Sequence, residues 1–162
     1  MHINWTELSQ ELSCEHKGSS QLACQAISKI LGEEVICEAI EYYISGGSGS
    51  ELSRSVLWHI NPRSGMEYCY KIYKEDSDME RKRSAVELLR AIADASVLEW
   101  LPDFLKDTDE SIQFWGGGVL DQLTFKNLVR KEDCQDILQI MKTHNNPNVR
   151  DTYSEIMELF ND

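Results

Sequence analysis

Basic residues are scarce in this chain of 162: 16 Lys and Arg stand against 28 Asp and Glu, a formal net charge of −12. A surface of that sign repels a polyanion, because binding duplex DNA or RNA needs several cations to displace condensed counterions. Nucleic acid is therefore excluded as the expected partner, and an anionic membrane surface is disfavoured for the same reason. The imbalance lies at the two ends. Residues 1–50 hold 2 basic and 7 acidic side chains, residues 51–100 hold 8 and 9, and residues 101–162 hold 6 and 12. A charged partner is expected to be basic.

Long apolar runs are missing too, so no stretch is expected to span a bilayer. The opening residues Met1-His2-Ile3-Asn4-Trp5-Thr6-Glu7 carry neither a basic stretch nor the apolar core of a secretory signal. Five cysteines (Cys14, Cys24, Cys37, Cys69, Cys134) make an odd number without a C-x-x-C pair. That argues against a disulfide framework and a cysteine-based zinc site, and fits free thiols in a cytoplasm. Only three prolines (Pro62, Pro102, Pro147) interrupt the chain.

What the chain does have is helical spacing. Leu22, Ala26, Ile27, Ile30 and Leu31 make one amphipathic stripe, and Val35, Ile36, Ala39, Ile40, Tyr43 and Ile44 another. The spacing recurs in Leu88, Leu89, Ile92, Ala93, in Val97, Leu98, Leu101, Leu105, in Ile137, Leu138, Met141, and in Val149, Tyr153, Ile156, Met157, Phe160. No sustained two-residue alternation with β-branched enrichment occurs, and the expected class is all-α. Gly32 suits a left-handed helix end, with Glu33-Glu34 in the first turn of the next helix. Gly46-Gly47-Ser48-Gly49-Ser50 reads as a flexible link and Asn61-Pro62-Arg63-Ser64-Gly65 as a tight helix-to-helix turn. Asp107-Thr108-Asp109 and Asn145-Asn146-Pro147-Asn148 are loops whose last polar residues can cap the following helix.

Aligning the helices exposes a period. The pattern apolar-x-x-x-small-x-x-x-apolar is met by Leu22/Ala26/Ile30, Leu52/Val56/Ile60, Arg81/Ala85/Leu89, Ile112/Gly116/Leu120 and Val149/Tyr153/Met157, with Arg81 and Tyr153 the weaker matches. Four helix pairs and a terminal helix at this regular spacing are a solenoid signature, since each pair buries its apolar face only against its neighbours.

The segments Asp109-Glu110-Ser111-Ile112-Gln113-Phe114-Trp115-Gly116 and Asn148-Val149-Arg150-Asp151-Thr152-Tyr153 resemble the helix starts of HEAT-like repeats: a polar cap, Val-Arg, then a small residue one turn on. The match is literal at Val149-Arg150 and degraded at Ile112-Gln113 and Leu52-Ser53. A period of roughly 30 residues is shorter than the usual HEAT repeat and is similar to the short HEAT-like units of bilin-lyase-type proteins. The resemblance covers about residues 20–160. It implies a right-handed α-solenoid of about four HEAT-like pairs plus terminal helices, as one domain over 1–162. The units fall near 20–45, 51–75, 79–106 and 110–143, with a terminal helix at 148–160. Such a fold mainly presents a binding surface.

Catalytic and metal-binding signatures are few. Cys14-x-His16 lacks further ligands and reads as a polar helix end. His59, after Trp58, suits the dipole of a C-terminal turn. His2 and His144 complete the histidines. No Walker, G-x-G-x-x-G, G-x-S-x-G or H-E-x-x-H pattern occurs. No catalytic residue, metal or cofactor is expected, and the chain is read as no enzyme. Gly116-Gly117-Gly118 should bend or interrupt a helix, since each glycine costs about 0.8–1 kcal/mol relative to alanine. Gly116 falls on the small position of the repeat, where helices cross closely. Gly117 and Gly118 mark a helix break, a register irregularity, or a surface approached by a partner's backbone.

Acidic residues on the second helices are the more coherent signal. In the architecture that the resemblance implies, these helices line the concave face. Glu38 and Glu41 lie one turn apart on 33–45, while Glu99 and Asp103 are four apart beside Trp100. Glu132 and Asp136 repeat that spacing on 131–143. Stacked, these carboxylates would form a stripe, with Tyr42, Tyr70 and Trp100 as aromatic anchors. Arg81-Lys82-Arg83, flanked by Glu75, Asp76, Asp78 and Glu80, is expected to pair with them. The chain resembles an immunity protein that neutralises a cognate bacterial toxin, typically a nuclease with a basic cleft. The alternatives are a general HEAT-repeat adaptor and a chromophore-handling protein like the bilin lyases.

Overall fold

Side-chain caps start most of the helices. In the computed structural model, which describes residues 3–13 and 19–161, nine α-helices account for most of the chain, and no strand occurs among the described residues. They are α1 (Trp5–Glu11), α2 (Ser20–Ile44), α3 (Ser50–Ile60), α4 (Arg63–Glu75), α5 (Met79–Ile92), α6 (Leu101–Leu105), α7 (Glu110–Phe125), α8 (Gln135–Lys142) and α9 (Pro147–Leu159). The protein is all-α, as its periodicity predicts. Asp78 caps α5, Asp109 caps α7 and Asn146 caps α9, each accepting from backbone N–H groups of the first turn. The two loops read as capping loops do cap.

The helix breaks have local causes. α2 is interrupted at Gly32, where φ is +78° and ψ 164°, a conformation open to glycine and to almost nothing else. Asn61 takes a left-handed conformation (φ 41°, ψ 59°) to end α3, and Pro62 and Arg63 lead into α4. The expected helix through Val97, Leu98, Leu101 and Leu105 is a 3₁₀ turn at Ala95–Trp100 followed by the short α6. Pro102 lies in the first turn of α6; it has no N–H to donate to an α-helix running through from Leu98, so the helix restarts there. Similarly, the helix expected over 131–143 is a 3₁₀ turn at Lys131–Cys134 and then α8.

The chain expected as one domain groups into two compact units, Met1–Tyr68 and Cys69–Asp162, with the division inside α4. In the first unit α2 packs on α3. Ile36 and Ile40 from α2, Leu57 and Ile60 from α3, and Met66 are buried together with Gly65, whose added Cβ would sit 2.9 Å from Pro62 and 3.2 Å from Ile36. The repeat pattern places Leu52 and Val56 at a buried seam, but they are 71% and 45% exposed. The buried face of α3 is instead Leu57 and Ile60. The Gly46–Ser50 segment is not a loose link: Tyr42 lies against it, its hydroxyl accepting from the Gly49 N–H at 3.3 Å.

The second unit is organised around α7, which packs on α5, α6 and α9. α6 also packs on α8, and α8 on α9. Ala85, Leu89, Ile112, Gly116, Leu120 and Val149 of the repeat pattern are buried, whereas Arg81, Tyr153 and Met157 are only partly covered and α9 buries Val149, Thr152 and Ile156 instead. The triple glycine, expected to break the helix, lies inside an uninterrupted α7 and is wholly buried. Each glycine meets a different neighbour. A Cβ added to Gly116 would lie 2.6 Å from the Phe104 Cβ of α6. One on Gly117 would approach Met141 of α8 at 3.3 Å and Thr152 of α9 at 3.8 Å, and one on Gly118 would reach Arg90 of α5 at 3.2 Å.

Burial of this face supplies what the glycines withhold in propensity. Gly116→Ala must push α6 away or deform α7, and is expected to destabilise the protein by about 1–3 kcal/mol. Gly118→Ala displaces only the flexible Arg90 side chain and recovers about 1 kcal/mol of helix propensity, leaving it close to neutral. Denaturant midpoints of the two variants at unchanged slope check the difference.

Candidate functional site

The candidate residues fall into three groups, one in the first unit and two in the second. The first belongs to the N-terminal unit. Glu38 is exposed on α2. Glu41 is partly covered and accepts a hydrogen bond from the Tyr68 hydroxyl at 2.7 Å. Tyr42, read as an aromatic anchor, braces the glycine-rich turn described above. His59, in the last turn of α3, has its ring Nδ1 2.8 Å from the Ser55 carbonyl oxygen, so Nδ1 carries the hydrogen that donates to it.

The second group is an aromatic and charged cluster where α4, α5 and α6 contribute. Tyr70 stacks on Trp100 with ring centroids 4.5 Å apart and planes 9° from parallel. Its hydroxyl donates to Asp103 Oδ2 at 2.7 Å, and Lys74 Nζ reaches the same oxygen at 2.9 Å. Tyr73 packs edge-on against Phe104 and donates to the Asp107 carboxylate at 3.0 Å. Lys74 and Lys82 each lie 5.9 Å from the Tyr73 ring centre. Trp100 is only 8% exposed, so it holds Tyr70 in place and offers little surface to a partner. Sequence reasoning named Tyr70, Trp100 and Asp103, which do meet. It missed Lys74, which sits four residues from Tyr70 on the same helix face and neutralises Asp103.

Electrostatics follow from these contacts. Burial, then the bond to Asp103, pushes the Tyr70 phenol up to about 12. Tyr73 is raised further, first by burial and then by its bond to Asp107. The Tyr70 hydroxyl, then Lys74, holds the Asp103 carboxyl below the usual carboxylate range. Arg83 does the same for Asp109. Arg83 Nη2 lies 2.6 Å from Asp109 Oδ2, and the guanidinium also meets Glu80. Arg81 pairs with Asp76 at 2.8 Å. Arg81 and Arg83 are thus taken up by Asp76, Glu80 and Asp109, while Lys82 lies over the Tyr73 ring.

The third group lines open grooves of the second unit. Glu99, Glu132 and Asp136 border one groove of about 390 Å³ with Leu98, Pro102, Asp133, Gln135 and Ile137. Glu132, Gln135 and Asp136 also border a second, of about 470 Å³, together with Lys131 and Lys142 and with Tyr153 and Met157 of α9. Asp133 is held by Arg130, Oδ1 to Nη2 at 3.0 Å. Glu99, Glu132 and Asp136 are exposed, and none makes an ion pair among the described residues. No protein-family model, curated protein or solved structure matches the chain. Glu99, Glu132 and Asp136 come from 3₁₀ turns and a helix start of the second unit, Glu99 in the turn before α6, Glu132 in the turn before α8 and Asp136 at the start of α8. They give the first groove acidic walls, with Leu98, Pro102 and Ile137 as its apolar lining.

No group of three or more His, Cys, Asp or Glu able to hold a metal ion occurs among the described residues. Cys14, His16 and His2 lie outside them. The four described cysteines carry thiols rather than disulfides, and burial, then Asp133, raises Cys134 to about 11. No helix among the described residues is long and apolar enough to cross a membrane.

The Tyr70–Asp103 bond has a pH signature of determinate sign. A depressed carboxyl stabilises the fold above the ordinary value of about 3.9 and loses that contribution as pH falls through its lower folded value. A raised phenol stabilises it below about 10 and loses that as pH rises towards 12. In Asp103→Asn the Tyr70 midpoint falls below about 12 without reaching the ordinary value, because burial remains. The Tyr70 ring-carbon shift followed through an alkaline titration checks it.

Proposed function

We propose that this chain is a protein-binding module for a basic partner, and that it acts as an immunity protein that binds and inhibits a cognate nuclease-type bacterial toxin. The observation that carries the reading is the groove lined by Glu99, Glu132 and Asp136, all exposed and outside ion-pair distance of a cation among the described residues, although Arg130 lies near Glu132 and Lys131 and Lys142 border the adjoining groove. Like charges held close at a surface repel one another, and a cationic partner relieves that cost while it docks. A toxin that cleaves nucleic acid has a positive cleft shaped for phosphates, and a carboxylate groove is complementary to it in charge. The net charge of −12 speeds encounter with such a partner and opposes nucleic acid and anionic membranes.

The proposal assigns the chain no catalysis, cofactor or metal, and a cytoplasmic location. It also takes the helices as a right-handed α-solenoid of HEAT-like pairs. Support for that comes from the second unit, where α7 packs on α5 and α9 while α6 packs on α8. First helices of successive pairs contact first helices, and second helices contact second helices, as stacked repeats require. The acidic groove then lies on the layer of second helices. Asp103, engaged by Tyr70 and Lys74, is left as a scaffold residue at the edge of this surface.

Two measurements decide the reading: whether a toxin-like gene lies beside this one, and whether its purified product associates with this chain. Reversing charge at Glu99 and Asp136 together is expected to slow association about tenfold or more and to flatten its dependence on salt. Glu7→Lys, on α1 of the other unit, is expected to leave both unchanged. Equal effects of the two changes remove the groove from the interface. Absence of any complex removes the immunity reading.

A further inference from the structure

The turn from α8 to α9 is built around His144. Its Nε2 lies 2.7 Å from the Leu105 carbonyl oxygen at the end of α6, and its Nδ1 lies 3.0 Å from the Asn146 backbone nitrogen. A carbonyl can only accept and a backbone N–H can only donate, so the hydrogen sits on Nε2 and Nδ1 offers a lone pair. Both ring nitrogens are occupied in one neutral tautomer. We infer that His144 is an acid-operated latch: its neutral ring ties the turn into α9 to the end of α6, and a proton taken up at Nδ1 sets two N–H donors face to face and releases the turn.

What the latch holds is specific. Asn146 is the buried cap of α9. Its Oδ1 accepts from the Asn148 N–H at 3.0 Å, and its Nδ2 donates to the Glu110 carbonyl and to Gln113 Oε1, both at 3.1 Å. Turning the Asn146 N–H away therefore strains the α9 cap and its tie to the start of α7 together. Charged groups on the surrounding elements are Lys106 and Asp107 after α6, Glu110 opening α7, Lys142 in the last turn of α8, and Arg150 in α9. Arg150 already donates to the His144 and Asn145 carbonyls, at 2.6 and 2.9 Å. The Asp107 carboxylate is taken by Tyr73 and by the Asp109 N–H. No carboxylate contact to the ring occurs among the described residues, so the imidazolium gains no counter-ion in place. The inference concerns the docking of α9 and holds whether or not the groove takes a basic partner.

The test reads tautomer and opening on the whole protein. At about pH 7.5 the ring nitrogen shifts of His144 should report hydrogen on Nε2, and on acidification from there to about pH 5 protection factors for the Asn146 and Asn148 amides should fall about tenfold or more. Those in α5 should not. His144→Asn keeps an acceptor for the Asn146 N–H with no titrating group, so its protection should stay level over the same range. His144→Gln can keep the donor to Leu105 but loses the acceptor, and should be poorly protected at both pH values. Hydrogen on Nδ1 at neutral pH, level protection in the native protein, or the same fall in His144→Asn would each overturn the latch. If His144→Asn does not fold, the tautomer and the native exchange profile decide the matter between them.

Discussion

The second unit depends on how closely its helices can approach α7. At Gly116 that approach leaves no room for a Cβ, with Phe104 of α6 only 2.6 Å from where one would sit. Gly117 and Gly118 extend the same face towards α8, α9 and α5. Three adjacent residues in a helix point in three directions about 100° apart. A run of glycine therefore lowers the helix surface on most of its circumference at one level. That is what lets a single 16-residue helix serve as the hub of several neighbours. The cost in helix propensity is recovered in contacts, because interiors are close-packed and a sub-ångström gap already forfeits much of the attraction.

With α7 fixed, the positions of the polar clusters follow. α6 sits against Gly116 and presents Asp103 to Tyr70 and Lys74 while burying Phe104. α9 sits against Gly117 through Thr152, and its cap residue Asn146 reaches back to α7 through Glu110 and Gln113. α5 sits against Gly118 through Arg90, whose guanidinium lies 5.6 Å from the Trp115 ring centre. Buried polar groups are satisfied throughout, with no buried side-chain nitrogen or oxygen lacking a partner among the described residues. Such satisfaction makes each cluster a geometric lock rather than a source of large net energy.

The acidic groove differs because Glu99, Glu132 and Asp136 are exposed and make no ion pair among the described residues, while Asp133 beside them is held by Arg130. Asp103 and Glu99 are four residues apart and look equivalent on paper, yet one is neutralised by a lysine and a tyrosine from α4 and the other is free. Spacing along a chain says which residues can share a helix face. It does not say what another helix brings to that face. The same limit explains Tyr42, whose aromatic ring suggested an anchor and whose partners are the glycines of the following turn. It explains Leu52 and Val56 as well, whose helical spacing matched the repeat although their faces meet water.

Helical class, helix breaks and caps were legible in the residues themselves, because each depends on interactions within a few positions. Apolar spacing decides which face is buried, a side-chain oxygen caps the N–H groups next to it, and Gly32 alone accommodates φ +78°. Pro102 was visible too, and its missing N–H accounts for the short second helix that periodicity alone overestimated. The continuity of α7 through three glycines was not legible, since local propensity opposes it and only contacts from four other helices outweigh that preference. Nor was the fate of each carboxylate, or the tautomer of His144, fixed by a carbonyl 39 residues away. Those depend on atoms brought together from distant parts of the chain, and packing alone decides them.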